Sequence, residues 1–575
     1  MPGEKMQQAA KPYAIGIDYG TESGRAVLVD TRNGNELAMA VHVYADGVIS
    51  HALPGSDERL PPDWALQNPQ DYIEVLRNTV PAVLHEAGVP GEAVCGIGID
   101  FTACTMLPTL TDGTPLCQLD ALRDQPHAWV KLWKHHAAQP QADRINALAR
   151  TRAEPWLARY GGKISSEWFF AKALQILEEA PDIYAQAERL IEAADWVVWQ
   201  LTGRETRNIC TAGYKAIYQD GSFPSSGFFA ALHPGLADIV DTRMSRDLMP
   251  LGDCAGGLCA RAAGWTGLPE GTPVAVANVD AHVTVPATGD TSAGTFVAIM
   301  GTSTCHVLIG EALHDVEGMC GVVDGGIVQG LPGYEAGQNA VGDIFGWFVN
   351  GFVPEQIAQQ ARAEGVDLHS WLGARAARQA PGEHGLLVLD WMNGNRSVLV
   401  DADLSGVIMG LTLHATAVDV YRALLEATAF GTRMILEGFA AAGVPVHRFV
   451  AAGGLPAKNP LLMQLTADIC NRDIHIIRST QGPAVGSAIH GAVAAGVWPD
   501  VPTAARHMGG LSEQVYRPAP DAVRVYDEIY ADYCHLHDLL GRAGPTGSDR
   551  LIKRLRARRN ATLLNRDTTL PEASE

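Results

Sequence analysis

Residues 13–30 read YAIGIDYGTESGRAVLVD, and residues 295–310 read TFVAIMGTSTCHVLIG. Each is an apolar run, a Gly/Thr/Ser turn and a second apolar run. Short runs rich in β-branched residues, bounded by glycine and hydroxyl residues, favour paired strands, so both stretches are predicted to be β-hairpins. In the first, the strand over 13–17 closes on Asp18, Gly20 and Gly24 bracket the turn, and 26–29 return. The second repeats the device about 280 residues later, and a short match of this kind is by itself partial support for duplication.

Outward from the hairpins, strands alternate with longer helical periods. Apolar spacing of three to four predicts helices around 71–87, in VKLWKHHAAQ (130–139), in SEWFFAKALQILEEA (166–180) and in ADWVVWQLTG (194–203), the last stopped by Gly203. A strand over 94–99 ends on Asp100, and another over 274–279 ends on Asp280. Further on, helices are predicted at 418–438, 460–470 and 484–496, and a strand over 447–451 runs into a Gly453–Ala457 turn. Strands alternating with helices make the fold α/β. Two glycine hairpins suggest two lobes around one cleft. At ordinary domain sizes 575 residues suggest three or four domains, which the hairpins revise to two. A leader of 1–12 precedes a first lobe over 13–290, a second lobe spans 291–545, and 546–575 is read as a flexible polar and basic tail.

Composition narrows the function. The chain carries 43 Lys and Arg against 64 Asp and Glu, a net charge of −21, which repels phosphate backbones and anionic lipids. No nucleic acid and no membrane partner are therefore expected. The basic run RLIKRLRARR (550–559) reads as a solvated helix end, with a phosphate-binding arm as the alternative. The ten cysteines are scattered, and Cys254 and Cys259 lack a second pair for a zinc quartet. With no apolar segment of signal-peptide length near residue 1, the expected location is cytoplasmic.

The candidate chemistry sits at turns and strand ends. Gly20, Thr21, Ser23 and Gly24 in one tip, and Gly301, Thr302, Ser303 and Thr304 in the other, offer backbone N–H groups and hydroxyls to phosphates. Any hairpin turn has some of these, so the pairing of two is what weighs. Asp18, Asp100 and Asp280 follow strands, where α/β folds place ligands. A carboxylate there can hold hydrated Mg²⁺ or take a proton from a hydroxyl, and an Asp before a helix can also be a plain cap. Gly453 and Gly454 permit close approach of a flat ligand or form a bare turn. There is no GxxxxGK[ST] and no convincing GxGxxG, which counts against a P-loop enzyme and a dinucleotide oxidoreductase.

DYGTESGRA, DFTACTMLP, PHAWVKLWKHHAAQ, YGGKISSEWFFAK, TAGYKA, NVDAHV, GTSTCH, YEAGQNAVGD and AAGGLPAKNPLLMQLTADI together resemble the FGGY carbohydrate kinases, over roughly residues 12–540. That resemblance implies two RNase H-like domains of the actin/hexokinase ATPase type, with ATP and sugar meeting in the interdomain cleft. It implies ATP and Mg²⁺ as cofactors, a ketopentose as substrate and a homodimer as the expected assembly. The acceptor implied is L-ribulose, phosphorylated at O5 in L-arabinose breakdown, with D-ribulose, xylulose or ribitol as alternatives. Carried over residue by residue, Asp280 is the general base and Asp18 organises the metal. Gly20, Thr21 and Ser23 face the transferring phosphoryl, Gly301 and Thr302 hold ATP phosphates, and Gly453, Gly454, Ala457 and Asn459 line the adenosine. Ala103, Trp133, Lys215 and Glu335, with Asp280, form the sugar pocket. Without the resemblance Trp133 reads as a core aromatic, and Lys215 and Glu335 as solvated charges. A nucleotide-gated scaffold of actin or heat-shock type shares the hairpins but has no use for Trp133, Lys215 and Glu335.

Overall fold

The computed structural model describes residues 11–544 and 547–567. Most of the leader and the last residues of the tail lie outside them.

Both hairpins form. Tyr13–Tyr19 pairs antiparallel with Ser23–Asp30, and Thr295–Met300 with Thr304–Ile309. Each seeds a seven-stranded sheet. In the first, Glu36–Val43 flanks the hairpin on one side, and Val94–Phe101, Pro273–Ala275 and Cys254–Gly257 follow on the other. In the second, Leu331–Gln338 flanks the hairpin, with Gly321–Val328 beyond it. Arg448–Ala452, Ile474–Ile477 and Leu511–Tyr516 follow on the other side. The pairing directions match over six strands of each sheet, Gly321–Val328 being an extra antiparallel strand at the edge of the second. Three antiparallel strands are followed by two parallel steps and an antiparallel edge. The repeated tip is thus one part of a repeated sheet.

Helices cover the sheets where the periodicity put them. Pro69–Ala87 and Ala193–Thr202 pack their apolar faces on the first sheet, each closed by a left-handed glycine, Gly88 and Gly203. Ala417–Ala441 runs through the second lobe and begins with a reciprocal Thr416/Asp419 capping box. A helical subdomain around Phe169–Glu179 is inserted in the first lobe, with a small sheet of Leu66–Gln67, Val130–Lys131, Met106–Thr109 and Arg189–Glu192. The helix Gly482–Ala494 belongs by sequence to the second half yet lies against the first sheet. A Cβ placed on Gly98 would come within 1.7 Å of the Ser487 carbonyl oxygen, so only glycine permits that approach.

Two expectations need correcting. The stretch 130–139 is not a helix, since Val130–Lys131 is a strand and a helix starts only at Gln139. Lys131 pairs with both Leu66 and Met106, and these ladder bonds override the helical spacing. The strand expected over 274–279 is broken into Pro273–Ala275 and Asn278–Val279. The basic run lies on the helix Asp549–Asp567, where Lys553 pairs with Asp401 and Arg556 donates to the Leu404 carbonyl at 2.9 Å.

Candidate active site

Neighbouring strands of the first sheet deliver three acids to one end. Asp18 and Asp100 are register partners, and Asn278 pairs with Asp100 from its other side. The chain then enters the helix Asp280–Ala287 with Asp280 as its first residue. Asp18 and Asp100 are buried, and Asp280 is half-buried. Burial raises the Asp18 pKa, opposed by Arg25 at 3.5 Å and by a hydrogen bond with Asp100. Burial and then the Asp18 charge push Asp100 well above the usual carboxylate range, while the Ser487 hydroxyl donates to its Oδ2 at 2.6 Å. Asp280 is raised to about 7 by burial and then by the Asp18 charge, against the Ala281 N–H and Lys215. A carboxylate poised there accepts a proton near neutral pH.

Beside Asp280 lies a buried ion pair. Lys215, from the helix Ile209–Lys215, places Nζ 2.9 Å from both carboxylate oxygens of Glu335, on the strand Leu331–Gln338. The pair therefore joins the two lobes. Arg396 donates to Glu335 Oε1 at 2.6 Å, and His282 Nε2 lies 3.3 Å from Oε2. Burial alone would raise the Glu335 pKa, but Lys215, His282 and Arg396 hold it well below the usual range. Glu335 is thus a fixed anion with cations on two sides. Trp133 sits in a turn and donates its indole N–H to Thr21 Oγ1 at 3.0 Å, which ties it to the first hairpin tip. Ala103 occupies the turn after the Val94–Phe101 strand.

Each tip is closed by a backbone bond from its glycine, the second tip being one residue shorter. Gly20 N donates to Ser23 O at 3.0 Å, and Gly301 N to Ser303 O at 2.9 Å. The carbonyls of Gly301 and Thr302 accept from Gly342 and Val341, which fixes the second tip at the start of the helix Gly342–Gly351. Asp343 of that helix has its pKa raised by burial, opposed by the Lys134 charge. Gly453 has φ +88° and opens the short helix Gly454–Lys458, and a Cβ there would lie 2.5 Å from the Met300 carbonyl oxygen. Gly453 therefore abuts the second hairpin. Ala457 lies within the short helix, and Asn459 caps the next one by accepting from Leu462 N at 3.0 Å.

The structure thus groups Asp18, Asp100, Asp280, Lys215 and Glu335 electrostatically, ties Trp133 to Thr21 at the first tip, and sets Gly453 against the second hairpin. Sequence reasoning missed Arg396 and Ser487. Arg396 sits in a stretch without periodicity, and its partner Glu335 is distant in sequence, so no local signal marked it. His282 was quoted within NVDAHV but given no role. Among the described residues no group of three or more His, Cys, Asp or Glu is arranged to hold a metal ion by itself. The buried Asp18 carboxylate is a donor that suits Mg²⁺, which is usually held by one or two carboxylates together with substrate phosphates and water. No described helix is long and apolar enough to cross a membrane.

Residues 13–285 match the N-terminal domain of the FGGY family of carbohydrate kinases, and residues 296–495 match its C-terminal domain. The chain belongs to this family. As an FGGY carbohydrate kinase it has the two-domain α/β fold of the actin/hexokinase ATPase type. It is 57% identical over 552 residues to a ribulokinase of Mycolicibacterium smegmatis, covering 96% of this chain and 97% of that one. It is 52% identical to a ribulokinase of Halalkalibacterium halodurans, covering 95% and 97%. Among solved structures, the xylulose kinase of Rhodospirillum rubrum superposes with a TM-score of 0.72 at 22% identity, covering 92% of this chain and 99% of that one. The Plasmodium falciparum glycerol kinase with ADP gives 0.68 at 14%, covering 91% and 98%. These two share the FGGY fold.

Proposed function

We propose that the protein transfers the γ-phosphoryl of ATP to O5 of L-ribulose, giving L-ribulose 5-phosphate and ADP, as a step of L-arabinose use. The observation that carries this reading is full-length identity of 52–57% to proteins named ribulokinase. The buried Lys215–Glu335 pair beside Asp280 supports it, because a sugar is recognised by hydroxyl hydrogen bonds to fixed donors and acceptors.

In this reading Lys215 donates to sugar hydroxyls, Glu335 accepts from them, and Trp133 and Ala103 shape the wall. Asp280 takes the O5 proton as O5 attacks phosphorus, and ADP departs with the electron pair of the broken bond. The first tip, Gly20, Thr21 and Ser23, faces the phosphoryl in flight. Gly301 and Thr302 hold the remaining phosphates. Gly453, Gly454, Ala457 and Asn459 line the adenosine side. Asp18 would hold Mg²⁺, which when bound neutralises phosphate charge. The lobes are taken to divide near residue 290.

The test is a coupled ADP-release assay over the four 2-ketopentoses and ribitol. The highest kcat/KM is expected for L-ribulose. A higher value for ribitol or a xylulose reassigns the acceptor. An ATPase rate that no sugar changes favours the nucleotide-gated scaffold instead.

A further inference from the structure

Lys172 lies on the helix Phe169–Glu179 and is fully buried. Its ammonium donates to three backbone carbonyls: Cys104 at 2.5 Å, Leu132 at 2.8 Å and Lys131 at 3.4 Å. An ammonium has three N–H donors, so this set uses all of them. The nearby carboxylate of Glu192 is buried and accepts no hydrogen bond, so Lys172 is not held there as half of a hydrogen-bonded ion pair. Burial lowers the Lys172 pKa to about 8, which leaves it charged at neutral pH. A buried cation is a costly way to fill space, and an apolar side chain of similar volume would do that better. What the ammonium supplies is direction.

The three carbonyls belong to two segments that need a tie at this point. Met106–Thr109 and Val130–Lys131 share a single pair of ladder partners, Met106 and Lys131, and then diverge. Lys172 spans the gap where the ladder stops. One segment is the Ala103–Cys104 turn, where Cys104 sits at φ +61°, a conformation that costs a non-glycine residue energy and needs holding. The other leads from Leu132 straight into Trp133, whose indole reaches Thr21 of the first hairpin.

We propose that Lys172 is a positioning residue of the sugar pocket, clamping the Ala103 turn and the Trp133 turn in one fixed geometry through the carbonyls of Cys104 and Leu132. It touches no substrate and acts through Ala103 and Trp133. The inference rests on the sugar-pocket reading above. It assigns work to the YGGKISSEWFFAK stretch, which the reaction itself leaves unused.

The test compares Michaelis constants for L-ribulose and ATP in full-length Lys172→Met, Trp133→Ala and the double variant, with folding checked by circular dichroism. Lys172→Met is expected to raise KM for L-ribulose ~10–100-fold, the usual cost of a misplaced binding group, while KM for ATP stays within about twofold. In the Trp133→Ala background the same change is expected to add little, because the two act as one unit. Lys172→Gln, which keeps amide donors, is expected to fall between wild type and Lys172→Met, and it takes the place of Lys172→Met if that variant does not fold. An unchanged KM for L-ribulose, an equal rise in both constants, or effects that multiply in the double variant overturns the clamp. A Trp133→Ala enzyme with an unchanged KM for L-ribulose overturns the sugar-pocket reading itself, and the clamp with it.

Discussion

Asp280 carries the sharpest expectations. Asp280→Asn is expected to lower kcat by ~10²–10⁴ while sugar still binds, the usual loss for a general base. A kcat within a few-fold of wild type removes the assignment. Because burial and Asp18 raise its pKa to about 7, a larger share of the base is deprotonated as pH rises, so kcat/KM should climb through pH about 7. The same shift runs the other way for stability. The folded state binds this proton at pH values where the unfolded chain has lost it, so the contribution of Asp280 to stability falls from about pH 4 to about pH 7. Asp280→Asn should therefore melt higher than wild type at pH 8. An equal or lower Tm contradicts the direction. Glu335→Ala should impair sugar use and also destabilise, since Lys215 and Arg396 lose their shared acceptor. The three strand-end acids were legible because each follows an apolar run. Arg396 was not, because a long-range salt bridge leaves no trace in local spacing.

At the scale of elements, both hairpins and the long helices could be read from period and punctuation alone. The stretch 130–139 could not. Its helical spacing is real, but Lys131 is claimed by strands far away in sequence, and Trp133 by the first hairpin. Position in a sheet outweighs a local preference. The Gly453 turn was legible as a turn, whereas its contact with the second hairpin was not. That contact makes an element-level test. Gly453→Ala must place a Cβ against the Met300 carbonyl from a backbone at φ +88°. The short helix or the hairpin has to shift, so KM for ATP is expected to rise ~10-fold or more with KM for sugar nearly unchanged. If both constants stay within about twofold of wild type, the turn is not part of the nucleotide side.

For the whole molecule, two lobes followed from two hairpins, and the two family domains matched over 13–285 and 296–495 agree with that. Closure of the cleft on binding is expected, since water competes for the phosphoryl group. Small-angle scattering with sugar and a nonhydrolysable ATP analogue should show a smaller radius, and an unchanged radius counts against closure. No sequence signal showed that Gly482–Ala494 crosses to the first sheet, because the glycines that admit it look like ordinary strand glycines. That crossing matters before the enzyme ever meets a substrate. The face made by Ala14, Val27, Val29 and Cys95 is covered by Ala484, Ala488, Ile489 and Ala492, which leave the ribosome about 390–480 residues after the strands they protect. At ~5–20 residues per second those strands wait ~20–100 s for their cover. A nascent chain stopped at residue 480 should then bind a hydrophobic dye and seek a chaperone, whereas the full-length chain should do neither.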